Sequence, residues 1–259
     1  ERNLLRIIRE TLIREINVSD IMSGLGLDES GCPVVDNWQD VFPALVSSGI
    51  ISSGDTILVL DGPSQRLKVV TSGAVTKDMV CSTAVNGFGN EDGSGKTSTG
   101  LMRIRQRYGD GEPVGAVFKS LRPTGNILGP NEGTKAWVLT RALTLTGLQT
   151  QNRNASARAI YIHGTNRERA LGVPASGGCI RISSADALWS YDNISIGTML
   201  YVLGDPKSTT PEFPCSRQDI HETVVKVEKK IFETEEQSTI HNPGYVRGEP
   251  VDIDPDETA

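Results

Sequence analysis

Ile162-His163-Gly164-Thr165 and, a short way on, Ala175-Ser176-Gly177-Gly178-Cys179-Ile180-Arg181 gather a base, a thiol in a glycine turn and an arginine into one short span. The whole chain has three histidines and four cysteines, so this proximity is informative. A thiol becomes a good nucleophile when a base or a positive neighbour lowers its pKa and when donors surround the oxyanion of a tetrahedral intermediate. Gly177 and Gly178 permit a tight turn with positive φ, which can aim successive backbone N–H groups into one small space. His163 ends a β-type run and is followed by Gly164, which suits display at a sheet edge. A cysteine after glycines is most often a packing residue, and a strand-end histidine is most often merely solvated. Their co-occurrence with Arg181 favours a cysteine acyl-transfer site.

Outward from this span, short runs rich in Val, Ile and Thr recur between turn residues: 56–60, 66–71, 79–83, 101–107, 115–119, 136–139, 143–146 and 159–163. Asp61-Gly62-Pro63-Ser64 forms a hairpin turn between the first two. Such runs predict a mainly β fold, an antiparallel sheet closed as a sandwich or barrel. One helix follows the cysteine at 184–192, capped by Ser183 or Ser184, and a last strand occupies 199–203. Upstream, apolar residues at helical spacing predict an amphipathic helix over 3–17, expected to pack on the body more than to lie on a membrane. A second helix is predicted over 38–47, capped by Asp36 or Asn37 and stopped near Gly49, with Pro43 as an obstacle. The organisation expected is a helical segment at 1–53, a catalytic domain at 54–204 and an extension at 205–259. That extension is Pro-rich, then charged; it has one candidate helix at 220–232 and an end expected to be mobile or to wrap loosely.

Several function classes are disfavoured. The net charge of −6 comes with no dense basic block, which speaks against nucleic-acid binding. No apolar run approaches the roughly 18–20 residues of a membrane-spanning helix, and the first residues lack the apolar core and cleavage site of a secretory leader. Cys32, Cys81, Cys179 and Cys215 form no metal knuckle, so no metal and no cofactor are expected. Cys81 reads as a buried small hydrophobe; Cys32 and Cys215, each near a proline, are compatible with a disulfide in an oxidising compartment. Gly89-Asn90-Glu91-Asp92-Gly93-Ser94-Gly95-Lys96-Thr97 imitates a phosphate loop but fails its spacing, because Asn90 stands where the first glycine belongs. No helix pattern follows it, and a solvated loop is the better reading.

Ile162-His163-Gly164-Thr165-Asn166, Leu171-Gly172 and Ser176-x-Gly178-Cys179-Ile180-Arg181 resemble the active-site signature of the L,D-transpeptidase (YkuD-type) catalytic domain, including the interval of sixteen residues between His163 and Cys179. Weaker likenesses lie upstream: Ile57-Leu58-Val59 with Gln65-Arg66-Leu67, Cys81-Ser82-Thr83, and Thr97-Ser98-Thr99-Gly100, which is similar to the family's Thr-Pro-x-Gly segment without the proline. The resemblance spans about residues 54–204. It implies acyl transfer on peptidoglycan stem peptides in the periplasm or at the wall, with Cys179 as nucleophile, His163 as base and the Gly164 carbonyl as its orienter. Gly177 and Gly178 would serve the oxyanion loop, and Ser176 would shape it by hydrogen bonding. Arg181 and Tyr161 are candidate substrate-binding residues, Arg181 with a structural ion pair as its alternative. The chain departs from the family at Gly177, where a second histidine is usual; His221 and His241, both in the tail, are no assured substitutes. That departure keeps two alternatives open, an L,D-carboxypeptidase and a wall-binding or regulatory protein without turnover.

Overall fold

The computed structural model describes residue 35 and residues 37–204. The helices read at 3–17 and 220–232, together with Cys32, Cys215, His221 and His241, lie outside the described residues.

In chain order the elements are α1 (Trp38–Ser47), β1 (Thr56–Asp61), β2 (Arg66–Thr71), β3 (Ala74–Ser82), β4 (Gly100–Tyr108), β5 (Ala116–Lys119), β6 (Arg122–Ile127), β7 (Val138–Gly147), β8 (Tyr161–Thr165), β9 (Ile180–Ile182), α2 (Ser184–Asn193) and β10 (Met199–Leu203). The strands are ordered β4-β10-β1-β2-β3-β9-β8-β7, and β4 pairs again with β7, so the sheet closes on itself. Strands β5 and β6 hang from β7 as a side hairpin. The fold is mainly β, as its composition of short runs predicts. Its pairing is antiparallel except at β1–β10 and β8–β9, which are parallel.

Strand β1 explains the layering. Leu58 and Leu60 enter the larger core with Leu67, Met102, Ile162, Ile180 and Val202, while Ile57 and Val59 pack on the other side with Leu45, Leu101 and Tyr201. Both faces are covered, so residues 57–60 are a continuous apolar run instead of an alternating one. The second cover is α1, whose Val41, Phe42, Ala44 and Leu45 are buried. Asn37 caps it by accepting from the N–H groups of Gln39 and Asp40 at 3.0 and 3.3 Å. Pro43 sits on the exposed side, as does Gln39, whose carbonyl it leaves without a helical donor. Gly49, at φ +67°, ends the helix.

Four strand readings need correction. The run 79–83 is only the more buried end of β3, whose residues 74–78 are mostly exposed and carry no apolar pattern. The runs 136–139 and 143–146 are one strand, β7, kinked by a bulge between Leu139 and Ala142, with Thr140 at φ +67°. Strand β6 is exposed along its length and has no apolar alternation to reveal it. Strand β9 is three residues long, below the length at which a pattern shows. Helix α2 starts as read, capped by Ser183, which accepts from Asp186 N–H at 3.0 Å.

Candidate active site

Strands β8 and β9 lie side by side and parallel, with Ile162 opposite Ile180, His163 opposite Arg181 and Gly164 opposite Ile182. Alternation sends Ile162, Ile180 and Ile182 into the core. His163 and Arg181 therefore share the other face, and one pleat back Tyr161 and Cys179 join them. The sixteen-residue interval is thus spent on a crossover that returns the chain beside itself. Cys179 lies within reach of the segment preceding β8: its Sγ–H donates to the Ala159 carbonyl at 3.3 Å. Ala159 holds φ +54°, an uncommon conformation for a residue with a side chain, and this aims its carbonyl.

The turn before the cysteine is held from several sides. Ala175 and Ser176 donate their N–H groups to the Thr83 carbonyl at 2.8 and 2.9 Å, and Val85 N–H donates to the Ser176 carbonyl at 2.9 Å. The Ser176 hydroxyl donates to the Cys179 carbonyl at 2.6 Å and accepts from Gly178 N–H at 3.2 Å. Gly178 takes φ +140°, and a Cβ there would meet Ile160 Cδ1 at 3.1 Å. Gly177 is exposed beside it. The expectation of successive amides converging on one point changes in detail: the Gly178 amide turns in on Ser176.

Electrostatics define the resting protonation state. His163 is 4% exposed, and its Nδ1 lies 2.8 Å from the Gly164 carbonyl. A carbonyl only accepts, so Nδ1 carries the hydrogen and Nε2 is left as the basic nitrogen. Burial pushes its pKa down to about 4; the Gly164 carbonyl opposes this, and the Arg181 guanidinium adds to it. Burial pushes the Cys179 thiol up, against the Tyr161 main-chain N–H and the positive charge of Arg181, which both favour the thiolate. Both directions favour a neutral thiol and a neutral imidazole. Arg181 is buried, and its Nη1 donates to the Ala175 carbonyl at 2.9 Å, so it braces the loop from the face it shares with His163. Cys81 is buried, and its thiol is pushed up to about 12 by burial, as a packing cysteine should be.

The false phosphate loop matters structurally. Residues 91–93 are exposed as expected, but Thr97, Ser98 and Thr99 are buried, and Thr97 reaches the turn before Cys179. Its hydroxyl accepts from Ala84 N–H and donates to the Gly178 carbonyl, both at 2.9 Å. The one signal for this in the sequence was the weak likeness of Thr97-Ser98-Thr99-Gly100 to a family segment. Strand β4, not a helix, follows the loop. Among the described residues no three His, Cys, Asp or Glu side chains are grouped as metal ligands.

The model of the L,D-transpeptidase catalytic domain, YkuD, matches residues 55–202. Escherichia coli K12 has a relative named as a probable L,D-transpeptidase, ErfK/SrfK, 35% identical over 66 residues, which are 25% of this chain and 21% of that protein. The match therefore spans about a fifth of that relative's length. Among solved structures, an L,D-transpeptidase from Mycobacterium smegmatis is 21% identical with a TM-score of 0.37, over 57% of this chain and 58% of that one. An L,D-transpeptidase from Xylanimonas cellulosilytica is 20% identical with a TM-score of 0.37, over 71% of this chain and 78% of that one. Because the family's own sequence pattern runs through more than half of the residues, from the start of the first hairpin to the last strand, the chain belongs to the L,D-transpeptidase catalytic domain family.

Proposed function

We propose that the protein is a peptidoglycan L,D-transpeptidase in the periplasm or at the cell wall, working through a thioester on Cys179. The observation that carries the reading is the Gly164 carbonyl fixing the His163 tautomer on β8, beside β9, the strand that Cys179 immediately precedes. Nε2 takes the thiol proton as sulfur attacks the carbonyl of the third stem residue. The imidazolium so formed is favoured by the Gly164 carbonyl and opposed by burial and by Arg181, so it persists only while the oxyanion balances it. Collapse breaks the amide bond, the proton passes to the departing D-alanine amine, and the acyl group stays on sulfur. An acceptor amine, deprotonated by Nε2, then attacks the thioester; the new amide leaves and sulfur recovers its proton. Family membership and the name of the Escherichia coli relative support this substrate class.

The exposed Gly177 beside the thiol brings no side chain to the acceptor half of the reaction, which keeps hydrolysis as the second reading. Incubation with a tetrapeptide stem, followed by mass spectrometry, separates the outcomes. The expected result is a Cys179-bound tripeptide acyl group, D-alanine release and, with an added amine, a transfer product. Release of free tripeptide without transfer would make the protein an L,D-carboxypeptidase. Neither acyl-enzyme nor D-alanine would leave a wall-binding role.

A further inference from the structure

Thr97 is fully buried, and its one hydroxyl joins two segments. The Ala84 N–H can only donate, so it occupies a lone pair of Oγ1, and the hydroxyl hydrogen is then committed to the Gly178 carbonyl. That carbonyl belongs to the peptide unit whose N–H is that of Cys179. The unit is trans, as are all the described peptide bonds, and a peptide unit is planar, so its C=O and N–H point in opposite directions. A hydrogen bond that pins the Gly178 carbonyl therefore also aims the Cys179 amide, on the side away from Thr97. The neighbouring Gly178 amide is taken by Ser176, which puts the weight of donor geometry on Cys179 N–H.

Thr97 is itself fixed. Its N–H donates to the Gly87 carbonyl and its carbonyl accepts from Gly89 N–H, both at 3.0 Å. The loop leading to it is gripped by Arg158, whose guanidinium donates to the Gly89 and Lys96 carbonyls at 3.0 and 2.6 Å and to the Ser98 and Ser94 hydroxyls at 2.7 and 3.2 Å. Arg158 immediately precedes Ala159, the residue that accepts from the Cys179 thiol. One segment thus holds both the thiol and the loop that orients its amide.

We propose that Thr97 is a positioning residue that sets the direction of the Cys179 amide toward the oxyanion, with Arg158 holding Thr97 in place. The inference rests on Cys179 reacting through a tetrahedral intermediate, as in the reading above. It follows that Thr97 should matter to acylation, which builds an oxyanion, and not to alkylation, which builds none.

Thr97→Val keeps the shape and removes the hydroxyl; Thr97→Ser keeps the hydroxyl. Three rates are measured at Cys179: thioester formation with the tetrapeptide stem, the p-nitrophenolate burst from p-nitrophenyl acetate over a Cys179→Ala background, and alkylation by iodoacetamide read on the Cys179 peptide. For Thr97→Val both acylations should slow on the order of 10- to 100-fold, less than or comparable with deleting an oxyanion donor outright. Alkylation should keep its wild-type rate, and Thr97→Ser should recover most of the acylation. Equal slowing of acylation and alkylation, or no slowing of either, overturns the proposal. If Thr97→Val gives no cooperative melting transition, Arg158→Lys decides by the same split. A wild-type protein acylated by the ester but not by the stem would sink the substrate reading alone, leaving Thr97 to be judged on the ester. Alkylation without either acylation would sink both.

Discussion

Gly178 is the residue at which backbone and chemistry are most tightly tied. Its φ of +140° lies where side chains are rarely accommodated, and a Cβ would press on Ile160 Cδ1. Gly178→Ala should cost on the order of 1–3 kcal/mol in stability from the strained backbone, measured by urea unfolding. It should abolish thioester formation with the stem peptide, because the peptide unit that carries the Cys179 amide must rotate to relieve the strain. Wild-type acylation in this variant would show that the turn's geometry is not what the chemistry uses. The residues of this site differ in how legible they were. His163, Cys179 and Gly178 stand out because base, thiol and turn glycine are rare residues in a short span. Gly164 acts through its carbonyl, which every residue has, so only the resemblance pointed to it. Thr97 was marked only by the weak likeness of its segment to the family, since a hydroxyl that bonds across 81 positions of sequence leaves no trace in local pattern.

At the level of elements, periodicity was readable where burial imposed it. Strands β1, β2 and β10 coincide closely with their runs because both faces or one whole face are covered. The β7 bulge was hidden because Thr140 and Arg141 look like a break between two strands; in fact Thr140 donates its hydroxyl to Ser184 at 2.9 Å, tying the bulge to the start of α2. Parallel pairing of β8 and β9 is likewise a long-range fact, invisible in either strand alone. Helix α1 was legible from its cap and the glycine that stops it, and it serves a face different from that of the site. Leu45 is fully buried among Ile57, Val59 and Tyr201, in a cluster separate from the one beneath β8 and β9. Leu45→Ala should therefore destabilise the fold by about 2–5 kcal/mol, while acylation of Cys179 well below the melting transition keeps its wild-type rate. A matching loss of acylation would mean that α1 acts on the site through the sheet.

Across the whole molecule, closure of the sheet through β4 and β7 buries the inner faces of eight strands, and the candidate site is set into this closed body, where His163 is 4% exposed. That placement has a thermodynamic consequence. In the unfolded chain His163 titrates near 6.5, and in the folded protein near 4. Between those values the unfolded chain binds a proton that the folded protein refuses, so protonation pulls the equilibrium toward unfolding as pH falls. Above pH 6.5 the imidazole is neutral in both states and the effect is absent; below pH 4 it is complete, at roughly 3 kcal/mol for a displacement of this size. His163→Gln removes the titrating group while keeping a side-chain donor for the Gly164 carbonyl. Urea unfolding of both proteins from pH 7 to pH 4 should show wild type losing stability faster by about that amount, with the difference developing between pH 6.5 and 4. Parallel curves would mean that His163 is open to water in the folded protein. It would then protonate near its ordinary value, and the neutral imidazole would be the resting form only above that value.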